Sequence, residues 1–441
     1  MEQDDTQGTN QSKHFSSDFR VMVAAIRYNS LGFFFLEFLI PYIATQHLDV
    51  GGLGLGLLFS LRIIGYMLSS TFVGYLADHM PKKPLVVVGS VGRGLAYMVL
   101  YLAIVGDSFV WMALGTTALG FMAGFFWIPL NVLVSEKSVK SHRSKAFGYR
   151  SRAEGTGVMI GSTVGFTIFI MAVAQNLSPF ITYLGLPLFG LANIYAAVLF
   201  WTRVQEDDVV EHQEISTKSV KATKSPKIRT TVLSWVVVGM AGLMMAKLFS
   251  SINGSLAKPF MVAYLLENVI ADAQVATLVY IPSGIVSMVM APKLGELADR
   301  ISPYLGLSVG SVVGAVVTFL LVNTADPVIF ALLLMIDSTA VTTTSLILVK
   351  IISDISKAHR GAVFGLESFV TNFGAILGPL VGGLMWDSYG AKAPFYFSIG
   401  VEIALVPLFL FSIYQLLPRR KDEITSEYLI QEKDPITTAE R

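Results

Sequence analysis

Gly74-Tyr-Leu-Ala-Asp78 returns later in the chain as Gly295-Glu-Leu-Ala-Asp299. A second pattern does the same. His142-Arg143, Phe147-Gly148, Gly157 and Gly161 return as His359-Arg360, Phe364-Gly365, Gly374 and Gly378. The two patterns recur at nearly the same separation, so the register holds to within a short indel. That separation is about half of the 441 residues. The chain is therefore read as two copies of one unit.

Each unit is apolar. Of all residues 53% are hydrophobic and only 14% charged, against roughly 25% charged in an ordinary soluble domain. Mean hydropathy is +0.63. A bilayer core about 30 Å thick needs roughly 20 apolar residues per helix, and twelve runs meet or approach that length. They are 20–46, 54–77, 84–105, 109–134, 146–174 and 180–202, then 235–266, 273–294, 304–323, 327–350, 362–385 and 394–417. We number them spans 1 to 12. The expected fold is an all-α membrane protein, with twelve transmembrane helices in two pseudo-symmetric six-helix bundles. Its parts are an N-terminal tail (1–19), a first bundle (20–203), a polar linker (204–230), a second bundle (231–417) and a C-terminal tail (418–441). Span 7 is long, and Asn253, Gly254 and Pro259 are expected to break it near one end.

Loop charge gives an orientation. Lys82, Lys83, Lys137, Lys140, Arg143, Lys145, the linker lysines, Lys357, Arg360, Arg419, Arg420 and Lys421 all fall on one side. The opposite loops are nearly free of cations, Lys392 excepted. The positive-inside rule puts the cationic side, with both termini, in the cytoplasm of a cell-membrane protein. The polar N-terminus lacks the apolar core of a signal peptide. Net charge of +1 excludes nucleic-acid binding driven by bulk charge. The absence of cysteine excludes disulfides and thiolate metal sites. No metal or cofactor motif, phosphate loop or catalytic constellation stands out.

Two parallel six-helix repeats are a transporter design whose solute site lies between the repeats near the midplane. With the motif Gly74, Asp78, Lys82, Lys83 after span 2, the chain resembles the major facilitator superfamily over about residues 20–417. His79 and Pro81 depart from that motif, and the second copy keeps only Gly295, Asp299 and Arg300. The resemblance implies alternating access by rocking of the halves. It also implies that Asp78, Lys82 and Lys83, with Asp299 and Arg300, latch the cytoplasmic side when the cavity opens outward.

Ionisable residues inside the membrane cost about 2.5–3.5 kcal/mol each and are functional candidates by default. They are Arg27, Glu37, Arg62, Arg93, Arg152, Glu154, Lys247, Lys258, Asp337, Glu367 and Glu402. At about 1.5 Å per residue, Glu37 and Arg62 sit at the same depth and are expected to pair. Lys258 aligns with Glu37 in the repeat and is expected to pair with Asp337. Either Arg152 or Glu154 is placed to meet Arg27. By the family resemblance, spans 1, 4, 7 and 10 line the cavity. Together, depth, pairing and resemblance single out Arg27, Glu37, Arg62, Lys247, Lys258 and Asp337 for solute or proton coupling. A static pair fixing helix register is the alternative role. Gly157 and Gly161 in span 5, and Gly374, Gly378 and Pro379 in span 11, are expected to pack helices closely where the halves meet. The block Phe125, Phe126, Trp127 and Pro129 in span 4 is expected to serve packing.

The function expected is secondary transport of a small solute, with proton-coupled export of an amphipathic compound first. Protons or another ion, the solute and the bilayer are the partners, and a monomer suffices. Uptake of a polar or anionic metabolite is the alternative. A transport-dead sensor or lipid-handling protein on the same scaffold is the reading from another class.

Overall fold

A computed structural model describes residues 15–139, 142–206, 230–355 and 360–432. The linker over 207–229, both chain ends, and the loop residues Lys140, Lys357 and His359 lie outside the described residues. Among the described residues, ten helices are long and apolar enough to cross a membrane. Span 7 (Thr230–Leu256 and Phe260–Tyr264) and span 8 (Ala273–Arg300) complete the twelve. The protein is a multi-pass membrane protein of two six-helix halves.

Four spans differ in detail from the runs read off the sequence, and span 6 is one of them, a short turn at Pro179–Thr182 followed by Gly185–Arg203. Span 1 is two helices, Phe19–Asn29 and Phe33–Gln46. Ser30 turns its hydroxyl back onto the Ile26 carbonyl at the junction, a local competitor for the helix ladder. Span 7 breaks between Leu256 and Phe260, where Pro259 has no N–H to give; Asn253 and Gly254 stay helical. Span 12 runs from Ala393 to Glu432, through the stretch expected as a polar tail.

The glycine stripes explain how each half holds together. A Cβ at Gly157, Gly161 or Gly165 of span 5 would run into the Arg27 carbonyl, the Leu31 carbonyl and the Phe35 ring of span 1. A Cβ at Gly374, Gly378 or Gly382 of span 11 would meet the Leu248, Ile252 and Leu256 carbonyls of span 7. The offset that carries Gly74 to Gly295 also carries Arg27, Leu31 and Phe35 to Leu248, Ile252 and Leu256. The three span 11 glycines keep one common offset from their span 5 counterparts. The sequence repeat is thus a repeat of packing contacts, backbone against backbone. This corrects the expected location: the stripes bind helices within each half. Another side of span 11 packs on span 2 of the other half, where Gly383 abuts Gly52 and the Pro379 carbonyl abuts Gly56.

The halves touch near one face, the one bearing the short loops around Asp49, Asp107, Asn176, Asp272 and Gly390. There Phe34 stacks on Tyr280 with ring centroids 5.1 Å apart, joining span 1 to span 8. Ser60 of span 2 donates to the Ile376 carbonyl of span 11 at 2.7 Å. We call the opposite side the tail face. On it, a methyl group placed on Gly74 or Gly148 would have nothing within 4 Å.

The packing account predicts that Gly161→Ala lowers thermal stability in detergent by about 1–3 kcal/mol, because the Leu31 backbone must move. Gly148→Ala, on an open helix face, is expected to hold or gain up to ~1 kcal/mol.

Candidate functional site

Glu37 is the only residue that lines both central cavities among the described residues. Its helix, Phe33–Gln46, carries it to the meeting place of the halves. Lys258 of span 7 grips it from the other half, with Nζ 2.9 Å from Oε2 and 3.0 Å from Oε1. Arg62 of span 2 lies 4.0 Å away. Glu37 and Lys258 stand in the same register as Gly74 and Gly295, so the repeat makes them counterparts. Opposite charges at one repeat position therefore meet where the two copies face each other. The expected Glu37–Arg62 approach is present as the longer contact. The expected Lys258–Asp337 pair is not formed, since Lys258 turns across the interface to Glu37.

The first cavity, about 420 Å³, lies within spans 1 to 5 and is touched from the second half by Asn372. Arg62, Arg93 and Arg150 line it together with Glu37 and Glu154. Arg93 is only 1% exposed. It donates to the Asn29 carbonyl at 2.9 Å and to Asn193 Oδ1 at 3.3 Å. Its guanidinium lies 4.8 Å from the Phe33 ring centre and 5.8 Å from that of Phe126. Arg150 pairs with Glu154 at 3.2 Å and lies 4.6 Å from the Trp127 ring centre. Rings on either side shield these cations from hydrocarbon.

The second cavity, about 360 Å³, is acidic and rich in hydroxyls. Asp337 of span 10 and Glu402 of span 12 line it, with Thr318, Ser283 and Ser398 nearby. Thr318 lines the cavity together with Asp337. Asn253 donates weakly to Glu402 at 3.5 Å, while Glu402 Oε2 is buried without a partner. Gly314 is the repeat counterpart of Arg93, and Glu402 closes over it. Where the first half holds a buried arginine, the second leaves room for a carboxylate.

Other expected residues lie elsewhere. Arg27 is exposed, lines neither cavity and meets neither Arg152 nor Glu154. Lys247 pairs with Glu367 of span 11 at 3.1 Å, away from both cavities. Arg150 is the charged cavity residue that sequence reasoning passed over, while Arg93, Glu154 and Glu402 stand among the intramembrane charges without having been singled out for coupling. Arg150 was legible: it stands four residues before Glu154, so both share one face of span 5. Arg152, two residues on, points about 200° away. Trp127, expected in packing, is a cavity wall.

A cross-half cap closes the short-loop face. Asp387 at the end of span 11 accepts from the backbone N–H of Gly52 at 2.6 Å and of Leu53 at 2.9 Å. These are orphan donors in the first turn of span 2, where the helix dipole favours a carboxylate. In the second half, Asp272 caps span 8 locally through Gln274 and Val275. Asp272 is the repeat counterpart of Gly51. Glycine at that position, with φ +65°, leaves span 2 to be capped from the opposite half.

The sequence profile of the Major Facilitator Superfamily matches residues 24–249 and, a second time, residues 243–435. The chain belongs to the Major Facilitator Superfamily. A multidrug resistance protein MdtG of Citrobacter koseri is 25% identical over 358 residues, covering 79% of this chain and 82% of that one. The MdtG of Escherichia coli is 24% identical over 357 residues, covering 79% and 81%. Among solved structures, a bacterial homologue of the human lysosomal transporter Spinster, inward-facing and unoccupied, superposes with a TM-score of 0.69 at 13% identity. The match covers 90% of this chain and 95% of that one. The nucleoside transporter NupG superposes with a TM-score of 0.66, also at 13% identity, covering 90% and 98%. These likenesses carry the superfamily fold.

In this superfamily member the tail-face loop after span 2 is tied within its own half. Lys82 pairs with Glu136 at 3.2 Å, and its backbone N–H donates to Glu206. Lys83 lies 5.2 Å from the Trp201 ring centre. Asp78 and Arg300 are exposed, and Asp78 makes no ion pair among the described residues. The Asp299 side chain lies outside the described residues.

Asp387→Ala should loosen the short-loop face, because removing a cap costs about 1 kcal/mol. The natural chain has no cysteine, so a Ser60→Cys thiol, buried between spans 2 and 11, reports this alone. Its labelling by a membrane-impermeant maleimide is expected to rise about fivefold in the Asp387→Ala background. An unchanged rate contradicts the cross-half cap.

Proposed function

We propose that this chain is a secondary active transporter that exports a small amphipathic compound in exchange for protons. The observation that carries the reading is the Glu37–Lys258 ion pair, which joins the two halves where both cavities meet. By the positive-inside rule, the tail face with Lys82, Lys83, Lys137 and Lys145 is cytoplasmic. The conformation is then closed outward and open to the cytoplasm, with the loop of Asp78, Lys82 and Lys83 unlatched. Such a state loads an exported solute.

Coupling follows from charge. While Glu37 is ionised, it holds Lys258 and keeps the outer side shut. A proton on Glu37 cancels the attraction and lets the halves part there. Asp337 is a second carboxylate in the path and has no ion-pair partner among the described residues. The names of the MdtG relatives favour export of drug-like compounds. Each chain holds both halves and both cavities, so a monomer in the cell membrane is a complete unit.

Vesicles containing the purified protein test this under an imposed pH gradient. Gradient-driven solute accumulation is expected for the natural sequence and is expected to fall at least tenfold in Glu37→Gln and in Asp337→Asn. Full flux in both variants contradicts the coupling assignment. Accumulation with no gradient contradicts secondary transport.

A further inference from the structure

The two cavities differ in sign, and that difference points to the solute. Around the first cavity stand Arg62, Arg93 and Arg150, and Lys258, which lines the second cavity, reaches Glu37 at the boundary between the two. Facing these four cations are two carboxylates, Glu37 and Glu154. Glu37 is held by Lys258 through both oxygens, and Glu154 is engaged by Arg150. Arg62 comes no nearer than 4.0 Å to Glu37, beyond hydrogen-bond distance. Among the described residues, Arg93 has no carboxylate in ion-pair contact and donates to neutral groups, the Asn29 carbonyl and the Asn193 amide. Arg150 Nε is buried with no acceptor.

A guanidinium does not shed its proton to relieve such a surplus. Two uncompensated cations in a cavity walled by apolar helices are costly until an anion joins them. The walls say more about that anion. The Trp127 and Phe33 rings flank the guanidinium groups of Arg150 and Arg93, and both rings line the cavity. Flat apolar walls beside forked donors suit a flat apolar body with one anionic head. The second cavity does not suit this role, because its lining cation, Lys258, is already engaged by Glu37, and Asp337 and Glu402 face the same space.

We propose that the first cavity binds an amphipathic organic monoanion. Its carboxylate, sulfonate or phosphate head sits among Arg62, Arg93 and Arg150, and its ring body lies against Trp127 and Phe33. This deepens the transport reading and names its solute class. Binding to purified protein needs no gradient, so a failed flux assay leaves the proposal standing, and a failed binding assay leaves proton-coupled flux standing.

The test is calorimetric titration of the whole chain in an uncharged detergent. The probes are 2-naphthalenesulfonate, the neutral 2-naphthalenesulfonamide and a naphthyl trimethylammonium cation. The sulfonate is expected to bind at least tenfold tighter than either analogue. Arg62→Gln and Arg150→Gln are each expected to raise its Kd at least tenfold while leaving the sulfonamide unchanged. If either variant melts without a folded transition, the wild-type preference of anion over cation decides alone. Adding phosphatidylglycerol to the micelles separates the sources: displacement of the sulfonate makes the anion a lipid headgroup, and its absence makes it a free solute. Equal binding of the cation and the sulfonate, or an unchanged sulfonate Kd in both folded variants, overturns the proposal.

Discussion

Glu37 and Lys258 are one position written twice with opposite charge. A duplicated bundle brings equivalent surfaces of its copies face to face, so equivalent residues near the symmetry axis become neighbours. Had both copies kept the same charge, the halves would repel where they must close. Divergence to a carboxylate in one copy and an ammonium in the other turns that contact into an attraction. The short-loop face depends on this pair and on two polar contacts stacked above it, Asp387 on the start of span 2 and Ser60 on span 11. Apolar packing of span 2 on span 11, and of Phe34 on Tyr280, surrounds these polar contacts. By contrast, the glycine stripes join helices within each half along their length. Each half is held along its helices, and the Glu37–Lys258 pair sits at the seam where the two halves meet.

Divergence between the copies also set the character of the cavities. Arg93 fills a buried niche in the first half, braced by Asn29, Asn193 and two rings. Its counterpart is Gly314, and the space is taken by Glu402 from span 12. The same scaffold position thus gives a cationic wall on one side and an acidic wall on the other. Glu37 stands between them and touches both.

Most of the fold was legible in the sequence. Hydropathy and the repeat give the twelve spans, and the two repeat offsets reappear as packing contacts. Membrane helices must satisfy their own backbones, so span positions follow from composition alone. The site was legible only in part. Depth arithmetic places a charge along the membrane normal but says nothing about rotation around the helix. Hence depth matches Lys258 to Asp337 at the right level but across the wrong gap. It also counts Arg27 among cavity residues although its face is exposed. Arg150 and Glu402 need the helix faces. The helix breaks in spans 1 and 7 are half visible: Pro259 marks one, while the Ser30 junction carries no proline.

The most direct test of the account is a charge swap read by distance. Spin labels at Leu53→Cys and Tyr389→Cys, both exposed and on opposite halves at the short-loop face, are unique in a chain without cysteine. Double electron–electron resonance should give one short distance for the natural pair. It should give a longer, broader population for Glu37→Lys. The short distance should return when Lys258→Glu is added. A short distance in the single variant, or a double variant as open as the single one, would contradict the claim that this pair holds the two halves together.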